Sequence, residues 1–166
     1  MTSNATPWLR CALLVCLTSY WYDSHPNPKC NDRFEFPFEI DLSEFLDEKA
    51  DRTKPWKYKL HGVLVHSGDA HSGRYFALIK PDRRTRWLKF NDNRVTPVTD
   101  REVLEENYGG VPLNGVVRET KRFTNAHMLV YIREAAIDEV LAPLTQGDIP
   151  PHLSKPVFGL CSMVSG

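Results

Sequence analysis

The residues able to do chemistry in this 166-residue chain crowd into one stretch, Tyr58–Asn93. His66 and His71 flank a glycine-bearing loop, and Asn91-Asp92 opens a turn after a later strand-like run. Strands joined in this way can set an imidazole beside a carboxyl or amide, the base-and-orienter half of a nucleophilic hydrolase site. Spacing alone is weak support, because a loop histidine and a turn aspartate are most often polar surface. The thiols are Cys11, Cys16, Cys30 and Cys161. No two have the C-x-x-C spacing of a zinc site, and four scattered cysteines do not make a disulfide framework. They read as reduced thiols of an intracellular protein, cytoplasmic or nuclear, and no metal or cofactor is expected.

The elements that must position these groups follow from composition and pattern. Hydrophobic residues make up 42% and charged residues 25%, ordinary for a globular domain. Lys plus Arg equals Asp plus Glu, at 21 each. That balance argues against a nucleic-acid binder and against a polybasic membrane anchor. Twelve prolines argue against a helical bundle. The apolar run from Leu13 to Tyr22 reads as a buried strand rather than a secretory signal. His25–Cys30 reads as a proline turn. Arg33–Phe38 alternates as a half-buried strand ended by Pro37, and Asp41–Lys49 as a short helix capped by Ser43 or Asp41. Tyr58–His66 is the most strand-like run. Its alternation puts Tyr58, Leu60, Gly62, Leu64 and His66 on one face and Lys59, His61, Val63 and Val65 on the other.

Further strands are expected at Tyr75–Ile79, Trp87–Phe90, Arg94–Val98 and Ala126–Ile132. Thr99 and Glu102 fit a capping box, with the helix stopping near Asn107 ahead of Gly109-Gly110. Glu134–Leu141 reads as a helix ended by Pro143, and the residues from Gly147 onward as an irregular tail. The expected fold is α+β, a mainly antiparallel sheet with short helices.

Ordered motifs then make the chain recognisable. NDRFEFP (Asn31–Pro37), YKLHGVLVHSGDAHSGRY (Tyr58–Tyr75), WLKFNDNRV (Trp87–Val95), ENYGG (Glu106–Gly110) and NAHMLVYIRE (Asn125–Glu134) resemble the ubiquitin-specific protease family of cysteine deubiquitinases. The nearest group resembles the herpesvirus-associated ubiquitin-specific protease. The resemblance implies an extension over residues 1–12, the C-terminal, palm-like part of a papain-like catalytic domain over 13–142, and an irregular tail over 143–166. It implies protein deubiquitination as the family role, by a Cys–His–Asp/Asn mechanism.

Two departures from the family pattern bear on activity. The family's nucleophile sits in an upstream Asn…Cys box, and none of the four cysteines here lies in such a box. The family's base histidine stands in a G-H-Y motif, which here reads Gly73-Arg74-Tyr75. Arginine keeps its proton at physiological pH and cannot take one from a thiol. His71 lies three residues before Arg74, about 10 Å in an extended chain, so its use as a substitute base would require the loop to refold. The orienter position falls on Asn91, followed by Asp92. The chain by itself is therefore expected to be inactive, and the alternative is a non-enzymatic ubiquitin-binding or interaction module. The resemblance assigns His66, Ser72, Gly73 and Tyr75 to one wall of the channel for the Gly-Gly tail of ubiquitin. Ubiquitin is the expected partner, bound weakly, with an intact relative or a missing half-domain as a further one. An active enzyme working through His71, or completed by another chain, is the least favoured alternative.

Overall fold

The computed structural model describes residues 11–17, 29–69, 72–110, 123–143 and 147. Seven strands form one antiparallel sheet: β1 (Ala12–Cys16), β2 (Glu39–Asp41), β3 (Lys57–Gly68), β4 (Gly73–Ile79), β5 (Trp87–Asn91), β6 (Arg94–Val98) and β7 (Thr124–Arg133). The order is β1-β7-β3-β4-β5-β6, and β2 pairs with the start of β3. Two short helices follow strands, α1 (Asp100–Leu104) after β6 and α2 (Ile137–Val140) after β7. The α+β arrangement expected from the pattern is the one observed. Among the described residues no helix is long and apolar enough to cross a membrane.

The long strand β3 organises the sheet. One of its edges carries β7 along most of its length; the other carries β2 near the start and β4 from Gly62 onward. Strict alternation predicted that Val63 and Val65 face away from Tyr58 and Leu60. All four instead lie in one buried cluster, with Leu78, Trp87, Val103, Leu129 and Tyr131. The correction comes from a bulge. Leu60 pairs with Tyr131 and Gly62 with Val130, so His61 is an extra residue on β3 and the phase of the strand flips there. A second register shift follows, because Leu64 pairs with Met128 and Val65 with Ala126, leaving His127 as the extra residue on β7. Without those shifts half of the branched side chains would turn away from the core.

Two other expectations are corrected. Arg33–Phe38 is not a strand. Phe36 is buried and meets Tyr108 edge-to-face at 5.1 Å. The segment's backbone pairs instead with the Tyr108 region, through Phe34 N–H to Tyr108 O at 2.8 Å and Gly110 N–H to Asn31 O at 2.8 Å. Asp41–Lys49 is not a helix but a single 3-10 turn, Ser43–Phe45, with Phe45 exposed. Aspartates compete with helix formation here: Asp41 accepts the Ser43 N–H and Asp47 the Lys49 N–H. The capping box is formed as expected. Thr99 Oγ1 accepts the Glu102 N–H, and the Glu102 carboxylate accepts the Thr99 N–H at 2.7 Å. These contacts hold the Glu102 carboxyl below its ordinary pKa. The helix seats Val103, fully buried, on the sheet.

Of the buried strand expected from Leu13 to Tyr22, the described part is β1 with Leu17 just after it, and it is half-exposed rather than buried, with Leu14 exposed, because it pairs with β7 alone; residues 18–22, like the His25–Cys30 turn before Lys29, lie outside the described residues.

Candidate functional site

The site lies where β3 ends and β4 begins. Ser67 pairs with Arg74 and His66 with Tyr75 across this hairpin. Between the strands, Asp69 accepts the Ser72 N–H at 2.6 Å and the Ser72 hydroxyl at 3.1 Å, which tightens the loop. His71 lies outside the described residues, so its suggested role finds no description here.

Cross-strand partners share a face, and this divides the candidate residues into two groups. Ser67, Arg74, Phe76 and Lys89 face the same side of the sheet as the buried Val65 and Leu78. Arg74, Lys89 and Asn91 line one open hollow of about 500 Å³ there, with Ser72 and Gly73 at its margin. Asn91 thus shares a hollow with Arg74. Asp92 does not line it; at φ 52° it makes the β5–β6 turn. Among the described residues no imidazole and no thiol lines this hollow.

His66 and Tyr75 form the second group, on the opposite face. His66 is buried, and its ring lies 4.7 Å from that of Tyr75. Tyr75 is half-exposed and meets His127 edge-on at 5.7 Å. A β-carbon at Gly73 would fall on the His66 imidazole, so glycine is required at this position. His66 therefore packs behind Gly73 rather than lining the hollow with Arg74.

A buried lysine holds this end of the sheet together. Lys29 Nζ donates to the carbonyls of Phe123 at 2.7 Å, Gly68 at 2.9 Å and His66 at 3.3 Å. Burial lowers its pKa, and Asp69 opposes that shift. The pKa of His66 is also lowered, first by burial and then by the charges of Lys29 and His127, against Asp69. The imidazole is thereby biased to its neutral form. Asn125, also buried, pairs with His66 from β7 and donates its amide to Cys30 O at 3.1 Å. Sequence reasoning missed Lys29, Lys89 and Asn125. Nothing local marks Lys29, which follows a proline-rich stretch and reads as a solvated turn residue. Asn125 stood within a recognised motif but was read only as an approach to a strand.

Cys16 and Cys30 line a different hollow, beside Asp32 and Tyr108, and Cys30 Sγ lies 3.4 Å from Asp32. Among the described residues no cluster of three or more His, Cys, Asp or Glu is placed to hold a metal ion.

Comparison with known proteins gives a consistent result. The sequence profile described as "Ubiquitin carboxyl-terminal hydrolase" matches residues 12–131. Ubiquitin carboxyl-terminal hydrolase 15 of Schizosaccharomyces pombe is 53% identical over 131 residues, which cover 75% of this chain and 11% of the relative. Ubiquitin carboxyl-terminal hydrolase 15 of Saccharomyces cerevisiae is 41% identical over 146 residues, covering 75% and 12%. Ubiquitin C-terminal hydrolase 12 of Arabidopsis thaliana is 42% identical over 138 residues, again covering 75% and 12%. The match thus spans only a small part of the length of these curated relatives.

Proposed function

The chain belongs to the ubiquitin carboxyl-terminal hydrolase family, and on that premise we propose that this segment forms one wall of a ubiquitin-tail site without hydrolysing the bond beside it. The observation that carries this reading is the lining of the hollow. Arg74 and Asn91 share it, and among the described residues neither an imidazole nor a thiol joins them. A thiol protease needs a base that takes the proton of the nucleophile and returns it to the leaving amine. A guanidinium can do neither. The Asn91 amide would then have no imidazole to orient.

Recognition needs less. Ser72 and Gly73 line the hollow beside Arg74, and the Ser72 hydroxyl oxygen, whose proton goes to Asp69, can accept a peptide N–H. His66 and Tyr75 support Gly73 from the other face. The wall is small for a protein interface, and its cation meets a ubiquitin tail that itself carries arginines. Both features favour weak binding. The partner is ubiquitin, read through its C-terminal tail.

Two measurements test the two halves of this reading. Incubated with a ubiquitin C-terminal amide fluorophore, the purified chain releases nothing above blank; release above blank sinks the non-hydrolytic half. Isotope-labelled ubiquitin titrated with the chain shows NMR shifts confined to its tail. These vanish when the two terminal glycines are deleted. Absence of shifts, or shifts that survive the deletion, sinks the tail-binding half.

A further inference from the structure

The hollow that holds Arg74 is cationic, and its main charge is uncommitted. Among the described residues Arg74 makes no side-chain hydrogen bond and no ion pair. Lys89 stands in the same hollow, its ammonium 4.1 Å over the Phe76 ring. Arg94 pairs with Asn91 across β5 and β6, which puts it on the same face. Among the described residues no carboxylate lines the hollow. Glu102 and Glu106 line the adjoining hollow, which shares Lys89, and of the surrounding acids Asp69 and Glu102 are already engaged. Asp69 accepts from the Ser72 N–H and hydroxyl. Glu102, next to Lys89, accepts from the Thr99 N–H and hydroxyl.

A guanidinium with free N–H groups, a second cation and an amide around one hollow suit a small oxyanion. We propose that this hollow binds the free C-terminal carboxylate of a glycine-ended peptide, the ubiquitin tail on the reading above, and so holds the cleaved tail in preference to an intact amide bond. The inference rests on that reading. Its physical basis is differential charge. A free carboxylate carries a full negative charge and can accept two parallel N–H bonds from Arg74. A tail joined through an amide offers only a neutral carbonyl, and the ammonium of Lys89 gains little from it.

The test compares ubiquitin with its natural C-terminal carboxylate and ubiquitin carrying a C-terminal amide, each titrated against the full chain. The amide form should bind about tenfold more weakly, about 1.4 kcal/mol. With Arg74→Gln the difference between the two forms should collapse toward unity, with a thermal midpoint confirming that the variant is folded. Equal binding of the two forms to the unmodified chain overturns the carboxylate site and leaves tail binding standing. Binding of neither form overturns both. Inorganic phosphate alone supplies the remaining arm. Phosphate that shifts the Arg74 and Lys89 signals as tightly as ubiquitin does would make the hollow a general oxyanion sink and overturn its assignment to a peptide terminus.

Discussion

At one end of the β3–β7 ladder Arg133 is buried against Trp56; at the other Lys29 is buried against the carbonyls of His66, Gly68 and Phe123. Both cations are satisfied mainly by backbone oxygens. Arg133 donates to Lys54 O at 3.0 Å and Pro55 O at 3.1 Å, and its guanidinium lies 4.0 Å over the Trp56 ring. Around it Trp56 donates to Asp51 O and Tyr131 to Pro37 O, both at 2.7 Å, and one buried atom, His61 Nδ1 at the β3 bulge, lacks a partner among the described residues. The Lys29 end differs. Asn31 Oδ1, His66 Nδ1, Asn125 Oδ1 and His127 Nδ1 are buried there without a hydrogen-bond partner among the described residues. The more nearly saturated end is scaffold, because most of its polar groups already have their bonds. An end with spare buried polar atoms is less stable than it could be, and such groups concentrate where function constrains the side chains.

The comparison can be broken by removing each cation in turn. Arg133→Ala strips two carbonyls of their donor and removes the stack on Trp56. It should lower the free energy of unfolding by about 3 kcal/mol in a urea titration. Lys29→Ala should cost less, about 2 kcal/mol, since it also relieves the burial of an ammonium. Its signature is local, a shift of the amide signals of Ser67 and Gly68 in an NMR spectrum. If Lys29→Ala costs as much as Arg133→Ala, the distinction between a saturated and an unsaturated end fails.

The two ends should also differ in how they respond to pH. Near the Arg133 end, burial raises the Tyr131 hydroxyl to about 12 from its ordinary 10.0. The unfolded chain therefore loses this proton first. Stability should fall as pH rises from 10 to 12, and Tyr131→Phe should shrink that fall, the remainder belonging to Tyr58 and Tyr108, whose hydroxyls burial also raises, while costing about 1 kcal/mol at neutral pH for the lost bond to Pro37. Thermal midpoints across that range read the effect directly. Near the Lys29 end the sign is opposite. His66 titrates below its ordinary 6.5, so the unfolded chain gains the proton first as pH falls. The stability from neutral His66 is complete above 6.5 and is lost on acidification toward its folded value. His66→Asn should flatten part of that acid limb of the thermal midpoint, the rest belonging to His61, whose pKa burial also lowers, and leave the alkaline limb in place. An unchanged acid limb would mean that another group governs it.

Several features were legible in the sequence because they are local. Alternating branched residues marked β3, β4 and β7, and a threonine three residues ahead of a glutamate marked the start of α1. Phe34 and Phe36 misled the strand assignment, because the alternation reported neither burial, Phe34 being exposed and Phe36 buried, nor which backbone carries the hydrogen bonds. Asp41–Lys49 misled the helix assignment, because its aspartates bond to nearby N–H groups instead.

The sequence by itself therefore determined β3 to β7, the cap and the α+β class. These follow from backbone periodicity and side-chain chemistry over a few residues. The tertiary structure alone decided that the bulge at His61 brings Tyr58, Leu60, Val63 and Val65 into one core. It also separated Arg74 and Asn91 from His66 and Tyr75 across the sheet, and buried Lys29 against a carbonyl 94 positions away. Such outcomes depend on which strand lies alongside and in which register, and a one-residue slip in pairing moves a side chain to the opposite face.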